Sequence, residues 1–265
     1  MAAAPFARGA GSRCKIGITD WNLRLTVKPE AVAVAARLGF EGVQISCGRQ
    51  IADNRMPLDN QELIAKYIAL AKEHKITIDG TCVDRLHDNG LKSDPLAMKW
   101  VSDGIRLTKA AGTKVALLPF FGKWALTTRQ EMDDTADRLR ELAPEAEKAG
   151  VILGLENTIS AEDNVRIMEK ARSGAVKVYY DIGNSTNNGF DILREIPWLG
   201  KDRICQIHLK DKGMLGEGSI PFRKVMEAIA AIGYDQWANL ETSVRSNETL
   251  EADQKKNLEY VRSMM

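Results

Sequence analysis

A chain of 265 residues with 44% hydrophobic and 28% charged side chains has the composition of one folded domain, long enough to bury a sizeable core. Its formal net charge of +1 leaves no basic face for nucleic acid and no footprint for an anionic membrane surface, and no apolar run is long enough to span a bilayer. The four cysteines, Cys14, Cys47, Cys82 and Cys205, form no CxxC pair and lie in or beside strand candidates, which makes them buried free thiols rather than a disulfide framework.

Residues 1–13, MAAAPFARGAGSR, have no apolar signal-type core and are expected to be a disordered lead-in. An Ala-rich start is also what a trimmed export signal leaves behind. The thiols favour a reducing, cytoplasmic compartment, with export as the alternative. Residues 14–265 form the folded domain. Its first strand candidate is KIGITDWN (Lys15–Asn22), followed by a helix that opens at Pro29 and carries the apolar run AVAVAARLGF. The second strand is Gly42–Ser46, and the long polar loop after it ends in Asp59 and Glu62, which have capping-box spacing. Leu63, Ile64, Tyr67, Ile68 and Ala71 then repeat at helical spacing. Strand three is Ile76–Val83. The next helix starts at Asp94 and Pro95 and stops at Gly112.

The fourth strand, KVALLPFFG, precedes a long helix over residues 129–149 with a bend expected at Pro144. Ser160 caps the helix after the fifth strand, and Gly174 is expected to end it. A short helix over residues 191–199, interrupted by Pro197, follows the sixth strand. The last helix is expected to be capped by Asn247. Eight strand–helix units in alternation predict an α/β fold, a single closed (β/α)8 TIM barrel.

Four of the strand candidates close on a polar side chain. VILGLENT carries Glu156, VKVYYDIGN carries Asp181, ICQIHLKD carries His208 and WANLETS carries Glu241. The gaps between them, 25, 27 and 33 residues by subtraction, suit one strand–helix unit apiece. In a parallel barrel the carboxyl ends of successive strands meet over one mouth. Along these strands Gly154 and Glu156, Gln206, His208 and Lys210, and Asn239 and Glu241 share faces that are polar or small, where a doubly buried strand should be apolar. One such carboxylate alone is more often an ion-paired loop-end group. Four on successive strands, all at the same end, make an oxygen-rich site with one nitrogen, suited to Mn²⁺ first and also to Mg²⁺, Co²⁺ or Zn²⁺.

GLENT, YYDIGN, QIHLKD with the following LGEGSIPF, and ANLETS resemble the xylose isomerase-like TIM barrels. That broad group includes ketose 3-epimerases, ketopentose 5-phosphate 3-epimerases, hydroxypyruvate isomerase, inosose dehydratase and endonuclease IV. The D-I-G-N and H-L-K-D pieces with G-E-G look most like the sugar phosphate isomerase/epimerase branch. The resemblance places the metal ligands on Glu156, Asp181, His208 and Glu241. It implies an isomerase acting on a ketose or sugar phosphate by proton transfer through a metal-bound enediolate, with Glu156 and Glu241 as acid and base. Loss of a β-hydroxyl after the same deprotonation would make it instead a lyase, a keto-inositol or 3-keto-sugar dehydratase. A sugar-binding barrel without catalysis is a further alternative. Several ketose epimerases carry a His three positions after the sixth-strand Asp, where this chain has Asn184, a departure that sets it apart from the free-ketose epimerases. Only three histidines, His74, His87 and His208, argue against the trinuclear zinc site of endonuclease IV. Family members often pair, so a homo-oligomer is expected.

Around the four ligands, Lys210 is a candidate for a substrate hydroxyl or phosphate, or a salt-bridge partner of Asp211 or Glu217. Asn157 and Asn184 are expected to orient ligands or cap loops. Glu217 sits in a Gly-rich loop that could cover the site. Trp21, Phe120, Phe121 and Trp124 are candidates for an apolar wall behind a sugar. His74 is expected on the surface, and so is His87, with the alternative that its loop after strand three reaches the mouth.

Overall fold

The computed structural model describes residues 14–265; the lead-in expected over residues 1–13 lies outside them. Eight parallel strands close in sequence order into one barrel: β1 (Lys15–Thr19), β2 (Gly42–Ser46), β3 (Thr77–Cys82), β4 (Val115–Pro119), β5 (Ile152–Glu156), β6 (Val176–Asp181), β7 (Ile204–Leu209) and β8 (Trp237–Leu240). The helices are α1 (Glu30–Leu38), α2 (Gln61–Glu73), α3 (Leu96–Ala110), α4 (Arg129–Ala149), α5 (Ala161–Ala171), α6 (Ile182–Asn187), α7 (Ile192–Arg203), α8 (Phe222–Ala231) and α9 (Leu250–Arg262). This is the (β/α)8 architecture that the alternation predicts. No helix among the described residues is long and apolar enough to cross a membrane.

The two faces of each strand do different work. Outward residues such as Ile16, Ile18, Ile45, Leu118, Leu155, Ile207 and Leu240 pack with the helices in one large core. Inside the barrel a smaller apolar cluster, Cys82, Val115, Leu117, Tyr179 and Cys205, lies beside polar side chains that are almost wholly buried: Gln44, Asp79, Gln206, His208 and Asn239. All four cysteines are buried, and none of them forms a disulfide among the described residues.

Several element ends depart from the sequence pattern, each for a local reason. β1 stops at Thr19 because buried Asp20 turns the chain, accepting hydrogen bonds from Ser46 N, Ser46 Oγ and Val27 N at 2.9, 2.7 and 3.1 Å. Asn60, not Asp59, caps α2, accepting from Glu62 N and Leu63 N; Asp59 is drawn away into a two-pronged pair with Arg106 of α3. α5 ends on Arg172 in a left-handed conformation (φ 55°), two residues before Gly174. α7 runs through Pro197 and breaks instead at Gly200 (φ 65°, ψ 171°), a backbone shape that side chains resist. The cap position of α9 is Thr249, not Asn247. α4 runs from Arg129 to Ala149 through Pro144, with the Thr128–Glu131 capping box at its start. The short α6 has no counterpart in the sequence reading, because Asp181 serves two elements: it ends β6 and caps α6 by accepting from Asn184 N at 2.8 Å.

On the floor of the barrel, Asp79 Oδ1 accepts from Asn239 Nδ2 at 2.9 Å, while buried Oδ2 has no hydrogen-bond partner. Gly17 and Gly42 make room for that oxygen; a Cβ on either would collide with it. Burial pushes the Asp79 carboxyl from 3.8 up to about 8. Between those two values the folded protein keeps a proton that the unfolded chain releases, so this group's contribution to stability falls as pH rises. The Asp79→Asn variant keeps the acceptor for Asn239 and carries no charge. Urea unfolding at pH 5.5 and pH 9 should show wild type losing stability relative to Asp79→Asn by about 1–3 kcal/mol across that interval. A difference that does not change with pH would show that Asp79 titrates normally.

Candidate metal centre and active site

The carboxyl ends of β5, β6 and β7 deliver Glu156, Asp181 and His208, and Glu241 follows β8 by one residue, its N–H donating to Leu209 O at 3.1 Å. One ligand-type atom from each of the four lies within 4.8 Å of the others. His208 Nδ1 stands 2.9 Å from Glu156 Oε1, 3.7 Å from Glu241 Oε2 and 3.8 Å from Asp181 Oδ2. The other ring nitrogen, Nε2, is 3.1 Å from Gln44 Oε1 inside the barrel.

Three carboxylates this close repel one another, and the surroundings answer the repulsion unevenly. Lys210 Nζ donates to Glu241 Oε2 at 2.6 Å and lies 3.6 Å from Asp181 Oδ2. Trp21 Nε1 donates to the other Glu241 oxygen at 2.9 Å, and Asn184 Nδ2 reaches Glu156 Oε1 at 3.4 Å. Burial pushes Asp181 up to about 7, with Lys210 opposing and Glu156 and Glu241 reinforcing the rise. Burial also pulls His208 down, but Glu156, Glu241 and Asp181 more than reverse it, so its pKa is raised. Glu241 goes the other way: burial raises it, and His208 and Lys210 together bring it below the ordinary glutamate value.

Asp181 Oδ2 is buried and accepts no hydrogen bond. An orphaned carboxylate oxygen facing two further carboxylates and an imidazole is a donor set short of a cation. Hard oxygens with one nitrogen fit a divalent ion such as Mn²⁺, Mg²⁺ or Co²⁺, and zinc accepts the same atoms.

A cavity of about 950 Å³ opens above this cluster, large enough for a small sugar. Glu156, Glu241, Asn184, Lys210, Trp21 and Phe121 all line it. Lys210 pairs with Glu241 and Asp181 and not with Asp211 or Glu217, the partners its sequence neighbourhood suggested.

Four other candidates sit elsewhere. Asn157 spends its amide on Asn164 and Ile159 N, so it holds the loop after β5 and does not face the cavity. Glu217 points to Arg245 and Met214 N on an exposed edge. The Gly-rich loop around it is pinned by Asp211, whose Oδ2 accepts from Gly216 N and Gly218 N. Phe120 is buried in the core, and Trp124 packs over Gly90 outside the cavity lining.

His74 is exposed at the end of α2, as expected. For His87 the alternative holds: it lines the cavity and stacks on Phe121 with ring centres 6.1 Å apart. Lys28, Arg49 and Asp84 line the cavity as well, all from loops without a recognisable spacing.

The comparisons with known proteins agree with this architecture. The family model for the xylose isomerase-like TIM barrel matches residues 32–264. A relative, 2-epi-5-epi-valiolone 7-phosphate 2-epimerase from Actinoplanes sp., is 26% identical over 228 residues, covering 82% of each chain. Among solved structures, D-psicose 3-epimerase from Clostridium cellulolyticum H10, crystallised with D-tagatose, superposes with a TM-score of 0.80 at 20% identity. That match covers 94% of this chain and 99% of the other. The apo form of 3-keto-D-glucoside 4-epimerase from E. coli gives a TM-score of 0.76 at 17% identity, covering 95% of this chain and all of its own. With the family model spanning most of its length and the barrel closed as that family requires, the chain belongs to the xylose isomerase-like TIM barrel family.

Proposed function

We propose that this protein is a divalent-metal-dependent sugar epimerase or isomerase that moves a proton on and off the carbon beside the carbonyl of a ketose, keto-sugar or sugar phosphate. The reading rests on the convergence of Glu156 and Glu241 with Asp181 and His208 on one centre at the floor of a sugar-sized cavity. The relative from Actinoplanes sp. and the two neighbouring structures bear names of sugar or cyclitol epimerases, which supports the same chemistry.

A cation held by Glu156, Asp181, His208 and Glu241 would polarise the substrate carbonyl and make the adjacent C–H more acidic. The remaining work falls to side chains. Glu241, kept ionised by His208 and Lys210, is ready to accept a proton, and Trp21 fixes the direction of its carboxylate. Glu156, steadied by Asn184, is the partner that returns a proton. Return to the same carbon from the other side inverts it; return to its neighbour relocates the carbonyl. Trp21, Phe121 and His87 give the sugar an apolar wall, and Lys210 lies where it can meet an oxygen that gains negative charge. At the rim Lys28 forms no ion pair among the described residues, whereas Arg49 is committed to Asp88. A phosphorylated sugar could place its anionic end beside Lys28, so the substrate class covers free and phosphorylated sugars.

Two measurements test this. Incubation in D₂O with Mn²⁺ and a panel of ketoses, keto-sugars and their phosphates should load deuterium next to the carbonyl and yield an isomeric product. Glu156→Gln and Glu241→Gln should each slow turnover by about 10²–10⁴-fold. A product lighter by one water would make the enzyme a lyase, and no uptake across the panel would make the barrel a binder.

The second measurement is thermal and chemical unfolding with and without metal. Mn²⁺ at one hundred times its Kd should stabilise wild type by about 2.7 kcal/mol. Asp181→Asn keeps the cap on α6, relieves like-charge crowding and removes a ligand. Metal-free at pH 8 it should unfold at or above the wild-type midpoint, because the raised Asp181 pKa means the ionised group lowers stability there. It should gain little from Mn²⁺; an equal gain in both proteins would remove Asp181 from the ligand set.

A further inference from the structure

We infer that Gln44, on β2, is a positioning residue that holds His208 in the tautomer with the proton on Nε2, leaving Nδ1 free to bind the metal. This rests on the metal reading above and adds a residue to it that lies across the barrel from the ligands and touches no substrate.

Gln44 is wholly buried, and its amide spans the barrel interior. Its Oε1 is 3.1 Å from His208 Nε2 and 3.0 Å from the Tyr179 hydroxyl, while its Nε2 points to the backbone carbonyl of Thr81 at 3.4 Å. A backbone carbonyl can only accept, so the amide nitrogen belongs on that side and the oxygen faces His208. An amide oxygen likewise can only accept. The proton between Gln44 and His208 therefore sits on His208 Nε2, and Nδ1, which donates to Glu156 Oε1 at 2.9 Å, is the nitrogen left to exchange its proton for a cation among Glu156, Asp181 and Glu241.

The direction of the amide has a second anchor. Tyr179 O–H donates to Gln44 Oε1, and its oxygen accepts from Asn239 Nδ2 at 3.2 Å. Asn239 Nδ2 also donates to Asp79 Oδ1 at 2.9 Å. Each link is a donor facing an acceptor, from Asp79 at one end to His208 at the other. Turning the Gln44 amide over would face its NH₂ toward His208 Nε2, place the proton on Nδ1 and set that proton against the cation. Partners that fix the tautomer of a metal-binding histidine are typically worth about 10- to 100-fold in metal affinity.

Mn²⁺ binding, followed by the free-ion EPR signal, separates this from a general packing role. Gln44→Met keeps volume and removes the acceptor; it should lose about 10- to 100-fold in Mn²⁺ affinity while the metal-free melting temperature stays close to wild type. Gln44→Glu restores an acceptor for Nε2–H and should bind within about threefold of wild type or more tightly, as carboxylate partners of metal-bound histidines do. Tyr179→Phe leaves Gln44 in place but frees its amide to turn, and should fall between the two. It also decides the matter should Gln44→Met fail to fold. Wild-type affinity in Gln44→Met or in Tyr179→Phe, or a loss in Gln44→Glu equal to that in Gln44→Met, overturns the assignment. Wild type that binds no Mn²⁺ overturns the metal reading itself, and this inference with it.

Discussion

Three carboxylates cannot be brought to one buried spot without compensation, and much of this barrel is arranged around that constraint. Glu156, Asp181 and Glu241 come from three strand ends that the closed sheet forces to converge, and the side chains packed about them are nearly all donors or cations: Lys210, Trp21, Asn184 and His208. The compensation is incomplete by one oxygen. Asp181 Oδ2 accepts nothing, and burial raises the Asp181 pKa, whereas Glu241, held by His208 and Lys210, lies below the ordinary glutamate value. A site that balanced its own charge fully would have little attraction left for a cation. The residual imbalance is what would draw a cation to the cluster, as a fully paired internal salt bridge would not.

The same logic explains which parts were legible in the sequence. Glu156, Asp181, His208 and Glu241 stood out because each breaks an apolar strand pattern at the same place in its strand–helix unit, and the closed barrel converts equal position along the chain into proximity in space. The strands themselves were legible for the same reason: β2 is bounded as the pattern predicts, and α4 covers the residues 129–149 expected of it. Where the reading failed, a contact from another element had redirected a local signal. Arg106, on α3, takes Asp59 away from the cap it would otherwise make. Asp181 caps α6 from inside a strand, a double use no spacing rule describes. Asn157 follows Glu156 directly, yet its amide turns to Asn164. Glu217 lies in a loop whose Gly-rich composition suggested a cover for the site, but Asp211 ties that loop down. His87 is the converse: nothing periodic marks it, and only the course of the loop after β3 brings it against Phe121.

The barrel interior carries the deeper lesson. Such cores are usually filled by layers of bulky branched side chains. Here glycines leave space that larger side chains of other strands take up: Asp79 and Asn239 at Gly17, Asp79 at Gly42, and Tyr179 and Cys205 at Gly154. Gly17 is the register partner of both Gly42 and Asn239, so the gap opens where Asn239 and Asp79 meet. A slip of one residue in β1 would set a buried isoleucine, Ile16 or Ile18, against those groups. The glycines thus tie the pairing of β1 to the polar floor, and the polar floor is directional in a way that an apolar layer is not. Leucine and isoleucine can repack in several rotamers without changing what lies above them. A series of amides and hydroxyls joined donor to acceptor has one low-energy arrangement, and its upper end is His208. Sheet register and the orientation of His208 are then set by one network, which connects the choice of glycine on one strand to the side chains gathered at the ends of the others.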